Sequence, residues 1–307
     1  MTTIHVPVLL QKTLEYLVNQ PDGIYVDATV GCGGHFTELS TRLSKNAILI
    51  GIDADLTALE YCQQNLKISQ SHRFIHSNFE FIKSVCFRAG FPKVHGVLLD
   101  LGLSSFALDN PQRGFSYILE GPLDMRFSAD QPQLAFTIVN SAEQATLETI
   151  FRDFGEERRA RSLAKAIIAA RQTKKINTTT QLAEIIRQIV PSSQLIKTLS
   201  RIFQALRIAV NRELEVLQKA ICDAIDMLVT GGRLVIISYH SLEDRIVKQK
   251  FKLFASDCIC PPDFPICQCN HQASVRILTA KPIRPRQDEI ELNPRARSAK
   301  LRAVEKL

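Results

Sequence analysis

Three carboxylates and a glycine turn are the first residues in this sequence that could do chemistry. Asp27-Ala28-Thr29-Val30-Gly31-Cys32-Gly33-Gly34-His35 follows an apolar run. Glycines at such a turn let a ligand approach the backbone closely. Asp53 stands 20 residues beyond Gly33, at the end of a second apolar run. A carboxylate there can accept hydrogen bonds from ribose hydroxyls. Asp100 ends a further apolar run and is followed by Leu101-Gly102-Leu103-Ser104-Ser105. A carboxylate beside two hydroxyls can accept a proton or orient an amine. The competing readings are a plain strand–turn–helix for the glycines and a buried structural role for Asp100.

The glycine spacing narrows the ligand. A dinucleotide site wants G-x-G-x-x-G, whose third glycine admits close helix packing. Phe36 stands at that position, so the pattern fails. D-x-x-x-G-x-G is instead similar to the D/E-x-G-x-G-x-G loop of S-adenosylmethionine methyltransferases, with Thr29 in place of the first glycine. Phe79 offers an apolar face for an adenine, or a core contact.

Two more groups are candidates. In Ser238-Tyr239-His240, Tyr239 could stack on a displaced base and His240 could contact phosphate or base. The alternative is that Ser238 and His240 hold local backbone. Asp124 and Arg126 could pair with each other and fix a loop, or meet substrate. Cys258-Ile259-Cys260 and Cys267-Gln268-Cys269 flank a Pro-rich stretch. Four thiolates there could hold a structural Zn²⁺, although C-x-C is not the usual C-x₂-C knuckle. His271 is a spare ligand, and a reduced thiol loop or a regulatory disulfide are the alternatives. Cys32, Cys62, Cys86 and Cys222 are scattered and read as small buried hydrophobes.

The elements that must position these residues alternate along the first hundred positions. Strands are predicted at 24–28, 47–53, 73–76 and 94–100, and helices at 36–43, 56–66 and near 81–89. Near-continuous apolar strands alternating with helices predict a parallel sheet covered on both faces. The next buried strand is predicted at 233–238, after an amphipathic segment at 211–228 and the Gly231-Gly232 stop. The gap is far longer than one crossover helix needs, so a helical domain is expected at 104–212, inserted into a sheet domain of 1–103 and 213–307. Helices are expected at 156–171 and 180–190, the second capped by Thr180. Terminal strands at 275–282 and 299–304 are expected to pair antiparallel.

Charge is uneven. Residues 1–150 carry 10 basic and 15 acidic side chains, residues 151–219 carry 14 and 6, and residues 271–307 carry 9 and 4. Two basic blocks behind an acidic front suggest a nucleic-acid partner or two solvated faces. The helix at 156–171 sets Arg158, Arg159, Arg161, Lys165 and Arg171 against an apolar stripe, which fits an RNA-backbone face or a solvated one. No window approaches the ~18 apolar residues of a membrane span, and no signal peptide opens the chain. The expectation is a cytoplasmic protein without a membrane partner.

An ordered series of short motifs then carries a resemblance. It runs through Gly33-Gly34-His35, Asp100-Leu101-Gly102-Leu103-Ser104-Ser105, Gly114-Phe115-Ser116 and Gly121-Pro122-Leu123-Asp124-Met125-Arg126. It continues through Phe154-Gly155-Glu156-Glu157-Arg158, Arg201-Ile202-Phe203-Gln204-Ala205-Leu206-Arg207 and Asn211-Arg212-Glu213-Leu214. It ends at Ser238-Tyr239-His240-Ser241-Leu242-Glu243-Asp244-Arg245 and Asn293-Pro294-Arg295-Ala296-Arg297-Ser298. Together these resemble the bacterial 16S rRNA cytosine-N4 methyltransferases, the RsmH or MraW family, over nearly the whole chain.

The resemblance implies an α/β fold: a Rossmann-like class I methyltransferase sheet with an antiparallel C-terminal edge and an inserted helical domain. It implies methylation of N4 of a decoding-centre cytosine in 16S rRNA of the small ribosomal subunit. It implies S-adenosylmethionine contacts at Gly33, Gly34, His35, Asp53, Phe79 and Asp100. The family's S-S-x-Q-L-D reads Ser104-Ser105-Phe106-Ala107-Leu108-Asp109 here, so at Ala107 the side-chain contact is lost or moves to backbone or water. Asp100, with Ser104 or Ser105, would accept an N4 hydrogen, because the D/N/S-P-P-Y/F motif of other amino-methyltransferases is absent. Arg126, Arg158, Arg159, Tyr239 and His240 would meet the RNA. An assembly factor with a vestigial fold, methylation of another base, and a homodimer stay open.

Overall fold

The computed structural model describes residues 7–103, 108–261, 264 and 267–307. Among these described residues, seven strands form one sheet: β1 Ile24–Asp27, β2 Ile48–Asp53, β3 Ser71–His76, β4 Val94–Asp100, β5 Leu228–Ser238, β6 Val275–Ile277 and β7 Lys300–Lys306. Their order is β3-β2-β1-β4-β5-β7-β6. β1 to β5 pair parallel, and β7 runs antiparallel to both its neighbours. This is the Rossmann order with one antiparallel strand entered beside the last. The α/β class and the antiparallel edge are as expected.

The sheet forms because its strands alternate in two apolar sets. Val26, Ile50, Val97, Leu99, Leu234 and Ile236 pack on one face. Tyr25, Leu49, Leu98, Val235 and Ile237 pack on the other. Each set is buried under helices, so both faces read as apolar. Strand order reverses between β1 and β4, and a crevice outside the carboxyl ends of strands opens at such a point. Asp27, Asp53 and Asp100 are the last residues of β1, β2 and β4.

The chain divides into two compact units, one of Met1–Gly102 with Leu214–Leu307 and one of Leu103–Glu213. The second is helical around its own core, with Phe151, Leu163, Ile167, Leu182, Ile202 and Leu206 fully buried. Asn211 is buried there with its amide fully used. Its Nδ2 donates to the carbonyls of Met125 and Arg207 at 2.8 and 2.9 Å, and its Oδ1 accepts from the Phe127 amide at 2.8 Å.

Local boundaries differ from expectation for identifiable reasons. The helix expected at 180–190 is Thr179–Arg187, and its cap is Thr178 rather than Thr180. Thr178 Oγ1 accepts from the Gln181 amide, and Gln181 Oε1 accepts from the Thr178 amide, both at 3.3 Å. That reciprocal box satisfies two end donors where Thr180 would satisfy one. The helix expected at 156–171 is Ala160–Thr173. Glu156 turns left-handed (φ 47°), which lets the buried Glu157 carboxylate accept from the Arg159 amide at 3.0 Å and Thr198 at 3.2 Å. The segment expected at 211–228 begins later, as Glu213–Met227, because Arg212 is left-handed (φ 51°) and ends a separate helix, Ser192–Asn211.

Candidate active site

The glycine turn after β1 is tied down at three points. The Gly31 amide donates to Asp53 Oδ2 at 2.8 Å. Cys62 donates its thiol to the Gly31 carbonyl at 3.2 Å, and burial pushes that thiol up to about 12, so it stays a donor. The Gly33 amide donates to the Val30 carbonyl at 2.7 Å. Gly33 sits at φ 77°, and a Cβ there would lie 2.3 Å from Leu66, so both backbone and space require glycine. Gly34 is required for a different reason: its Cβ would meet Pro7 at 2.6 Å. Gly34 thus serves packing of the chain before the first helix.

Asp53 is partly buried, and its oxygens accept from Gly31 and from the Asp55 amide, each at 2.8 Å. A carboxylate has about four acceptor sites, so both oxygens keep capacity for ligand hydroxyls. Burial raises its pKa, against those backbone donors. Phe79 is half-buried against the sheet core and opens a short 3₁₀ turn, Phe79–Phe81, capped by Asn78. It follows β3 beyond Ser77 and Asn78.

Asp100 is the most constrained of the three. Its amide donates to Thr29 Oγ1 at 2.7 Å. Thr29, at the place of the first glycine in the loop pattern, therefore anchors the end of β4 to the turn after β1. The Tyr239 hydroxyl donates to Asp100 Oδ1 at 2.8 Å. His35 Nδ1 lies 3.5 Å from Asp100 Oδ2, while His35 Nε2 lies 3.0 Å from the Val8 carbonyl. A carbonyl only accepts, so the Nε2 proton is fixed and Nδ1 faces the carboxyl. Burial pushes Asp100 up to about 7; the Tyr239 hydrogen bond opposes this and the Glu243 charge adds to it. Burial lowers His35, against the pull of Asp27. Asp27, at 1% exposure, is pushed up to about 7 by burial, against His35 and the Thr29 amide. Burial thus raises two neighbouring carboxyls, Asp27 and Asp100, toward neutrality and lowers the imidazole beside them.

The structure brings together Gly33, His35, Asp53, Asp100 and Tyr239 at the carboxyl edge of one sheet. Tyr239 also has a task that its sequence context did not suggest. Its hydroxyl is committed to Asp100, and its ring covers Gly102, where a Cβ would lie 3.1 Å away. His240 corrects the expectation of a substrate contact. It caps the helix Ser241–Phe254, accepting from the Glu243 amide through Nδ1 at 3.4 Å, and its side chain is 9% exposed. Arg126 is likewise a loop residue. Its guanidinium grips both oxygens of Asp124 at 2.8 Å and donates to the carbonyls of Ala129 and Gln131 at 2.7 and 2.8 Å. Four of its five N–H donors are thus spent inside that loop, which leaves one Nη2 hydrogen.

Arg158 is exposed, and Arg159 is half-buried with Nη1 on Gln194 Oε1 at 2.6 Å. Arg161 and Lys165 are exposed beside the stripe Ala160, Leu163, Ala164 and Ile167, whereas Arg171 donates to the Val139 carbonyl at 2.9 Å. Ser104, Ser105 and Ala107 lie outside the described residues. Cys258, Cys260, Cys267 and Cys269 gather in one place, apart from His271, whose Nε2 is 3.0 Å from the Leu253 carbonyl.

Sequence reasoning missed Thr29 and Glu243. Thr29 was visible only as a departure from a glycine pattern. Glu243 is 3% exposed and accepts from the amides of Tyr239 and His240 through Oε2 at 2.8 and 3.3 Å. The spacing His240-Ser241-Leu242-Glu243, a polar cap followed three residues later by Glu, was the signal for it.

The donor set can be tested against ligand classes. Residues 24–36, 48–53 and 94–103, which form this edge, hold Asp27, Asp53 and Asp100 and not one Lys or Arg. A pyrophosphate would face Asp53 and Asp100, with the buried Asp27 behind them, and find no counter-charge in these segments. A cationic ligand with ribose hydroxyls, such as S-adenosylmethionine, suits the same set.

Comparison with known proteins adds an independent line. A family model described as the MraW methylase family matches residues 2–307. The Ribosomal RNA small subunit methyltransferase H of Halothermothrix orenii is 48% identical over 306 residues, 99% of this chain and 98% of that protein. The protein of that name from Clostridioides difficile is 46% identical over 307 residues, 99% of each chain. Among the described residues, no helix is long and apolar enough to cross a membrane.

Proposed function

This chain belongs to the MraW methylase family, and from that membership we propose that it transfers a methyl group from S-adenosylmethionine to N4 of a decoding-centre cytosine in 16S rRNA of the small ribosomal subunit, in the cytoplasm. The observation that carries the reading is the all-carboxylate sheet edge, with Asp100 held between Tyr239 and His35. S-adenosylmethionine, when bound, supplies an electrophilic methyl on a cationic sulfur. Gly33 and its turn, Asp53 and Phe79 are the residues to hold its amino-acid, ribose and adenine parts, with His35 completing the set.

Cytosine N4 is a weak nucleophile, because its lone pair is delocalised into the ring. Asp100, alone or with Ser104 or Ser105, accepts one N4 hydrogen and turns the lone pair toward the methyl. A carboxyl near 7 suits this task at working pH, since it is substantially ionised yet still basic. Most of the acceleration comes from holding the amine and methyl in line. Tyr239 positions Asp100. The unit Leu103–Glu213 serves substrate recognition, with Arg158 and Arg159 on phosphates.

The test is methyl transfer from labelled S-adenosylmethionine to small subunits that lack the modification, with the product nucleotide identified by mass. N4-methylcytosine at one decoding-centre position is the expected result. Cofactor binding with a different methylated base would move the substrate; absence of cofactor binding would remove the reading and restore the assembly-factor alternative.

A further inference from the structure

Between the helix Ser241–Phe254 and β6 the chain makes a loop with little reason to be ordered by burial. Ile259 and Phe264 in it are 50% and 49% exposed. Its base is closed by the Ser274 amide on the Phe254 carbonyl at 2.8 Å and by the Ala273 amide on Asp257 Oδ1 at 3.3 Å. Yet four thiols converge inside it. The Sγ atoms of Cys258, Cys260, Cys267 and Cys269 all lie within 4.8 Å of one another. Cys258 to Cys267 is 3.4 Å, Cys267 to Cys269 is 3.6 Å and Cys258 to Cys269 is 3.8 Å.

We propose that these four cysteines form a structural zinc site. Zinc binds thiolate sulfur at about 2.3 Å in a tetrahedron, which sets neighbouring sulfurs about 3.8 Å apart. The three spacings among Cys258, Cys267 and Cys269 lie at or just below that edge length, and Cys260 lies within 4.8 Å of each. A disulfide needs two sulfurs at about 2.0 Å and would leave the other pair without purpose. A second feature points the same way. The amides of Ile259, Cys260 and Gln268 donate to the sulfurs of Cys269, Cys258 and Cys260, each at 3.4 Å. Backbone donors aimed at thiolate sulfurs offset their negative charge, as outer-shell partners of a metal site do.

Ligation is balanced simply: four thiols lose four protons, and Zn²⁺ takes four thiolates. His271 is spent on the helix end, so the ligand set is four sulfurs with no open position. A closed site of that kind staples a loop and does no catalysis.

The measurement is made on the full chain, purified reduced and without chelator. About one zinc per chain is expected by elemental analysis. After chelator treatment, four more thiols should react with an aromatic disulfide reagent, and added Zn²⁺ should protect those four again. Cobalt refilling should give the intense visible bands of a tetrahedral thiolate site. Cys258→Ser with Cys269→Ser should abolish stoichiometric zinc, whereas Cys222→Ser should keep it. Because the double variant can misfold, the thiol protection in the unaltered chain decides the matter. Zinc uptake with no thiol protection, no uptake at all, or a Cys258–Cys267 disulfide mapped in the reduced preparation each overturns the proposal.

Discussion

Asp100 and Asp124 are both partly exposed carboxylates, with side chains 19% and 24% accessible, yet the protein keeps them in opposite states. In the helical unit, burial pushes Asp124 up, but the hydrogen bonds of Arg126 outweigh it and hold it below the ordinary carboxylate range. At the sheet edge, Asp100 receives a neutral hydroxyl and an imidazole whose basicity burial lowers, and burial wins. One region uses guanidinium groups to fix backbone. The other withholds cations and so keeps a site that a cationic ligand and a proton can enter. The contrast teaches that a carboxylate's role is legible from what neutralises it, not from its exposure.

The largest expected effect comes from Asp100→Asn. The amide keeps the shape and can still accept from Tyr239, but it cannot take a proton. Methyl transfer should fall about 10³-fold, with the melting temperature unchanged or raised at pH 8. The gain is expected because a carboxyl raised in the fold is an electrostatic burden. Between about pH 4 and 7 the folded chain holds protons on Asp27 and Asp100 that the unfolded chain has lost. These two groups therefore weaken the fold as pH rises through that window. Asp124 does the reverse: its contribution is present above the ordinary carboxylate value and lost as pH falls through its lowered one. Turnover within tenfold of the unaltered chain would remove Asp100 from the chemistry.

Arg126→Ala tests the other region. It strips two hydrogen bonds from Asp124 and two from backbone carbonyls. A loss of about 2–3 kcal/mol in denaturant unfolding is expected, with methyl transfer per folded molecule unchanged. A raised KM for RNA with stability intact would return Arg126 to the substrate and break the comparison.

How much of this was legible follows the same line. The apolar alternation at 24–28, 47–53 and 94–100 revealed the sheet, because burial on both faces leaves a dense local signature. The end of β1 and the ends of β2 and β4 followed from it, and with them Asp27, Asp53 and Asp100. What stayed hidden depends on pairs distant in sequence. Nothing local says that Thr29 meets the Asp100 amide 71 positions on, or that Tyr239 donates to Asp100 across 139 positions. The amphipathic segment expected at 211–228 started too early because Arg212, a left-handed residue without glycine, carries no compositional mark of the break before Glu213.

A smaller effect, and a sharper one, is expected from Tyr239→Phe. The hydroxyl is the one feature that lowers Asp100 against burial. Removing it should move the midpoint of the pH–rate profile upward from about 7. Loss of one charge-assisted hydrogen bond corresponds to about one pH unit. Turnover should therefore drop about tenfold at acid pH and recover on the alkaline plateau. A ring that stacked on a displaced base would behave differently: phenylalanine would preserve the profile, and a change at Tyr239→Leu would appear as KM for RNA at every pH.

The smallest effect lies on the helical unit, where the distinction between structural and available cations is finest. Arg171 donates to the Val139 carbonyl and Arg159 to Gln194 through one of its five donors, whereas Arg158 is exposed ahead of the helix Ala160–Thr173. If exposed cations there neutralise RNA phosphates, Arg158→Ala should weaken subunit binding only a few-fold at physiological salt. It should also reduce the slope of log affinity against log salt by about 1. Folding stability should stay within about 0.5 kcal/mol, as for other surface changes. An unchanged salt slope would mean that Arg158 only solvates its face, and the RNA-backbone role would pass to Arg161 and Lys165 or leave this helix.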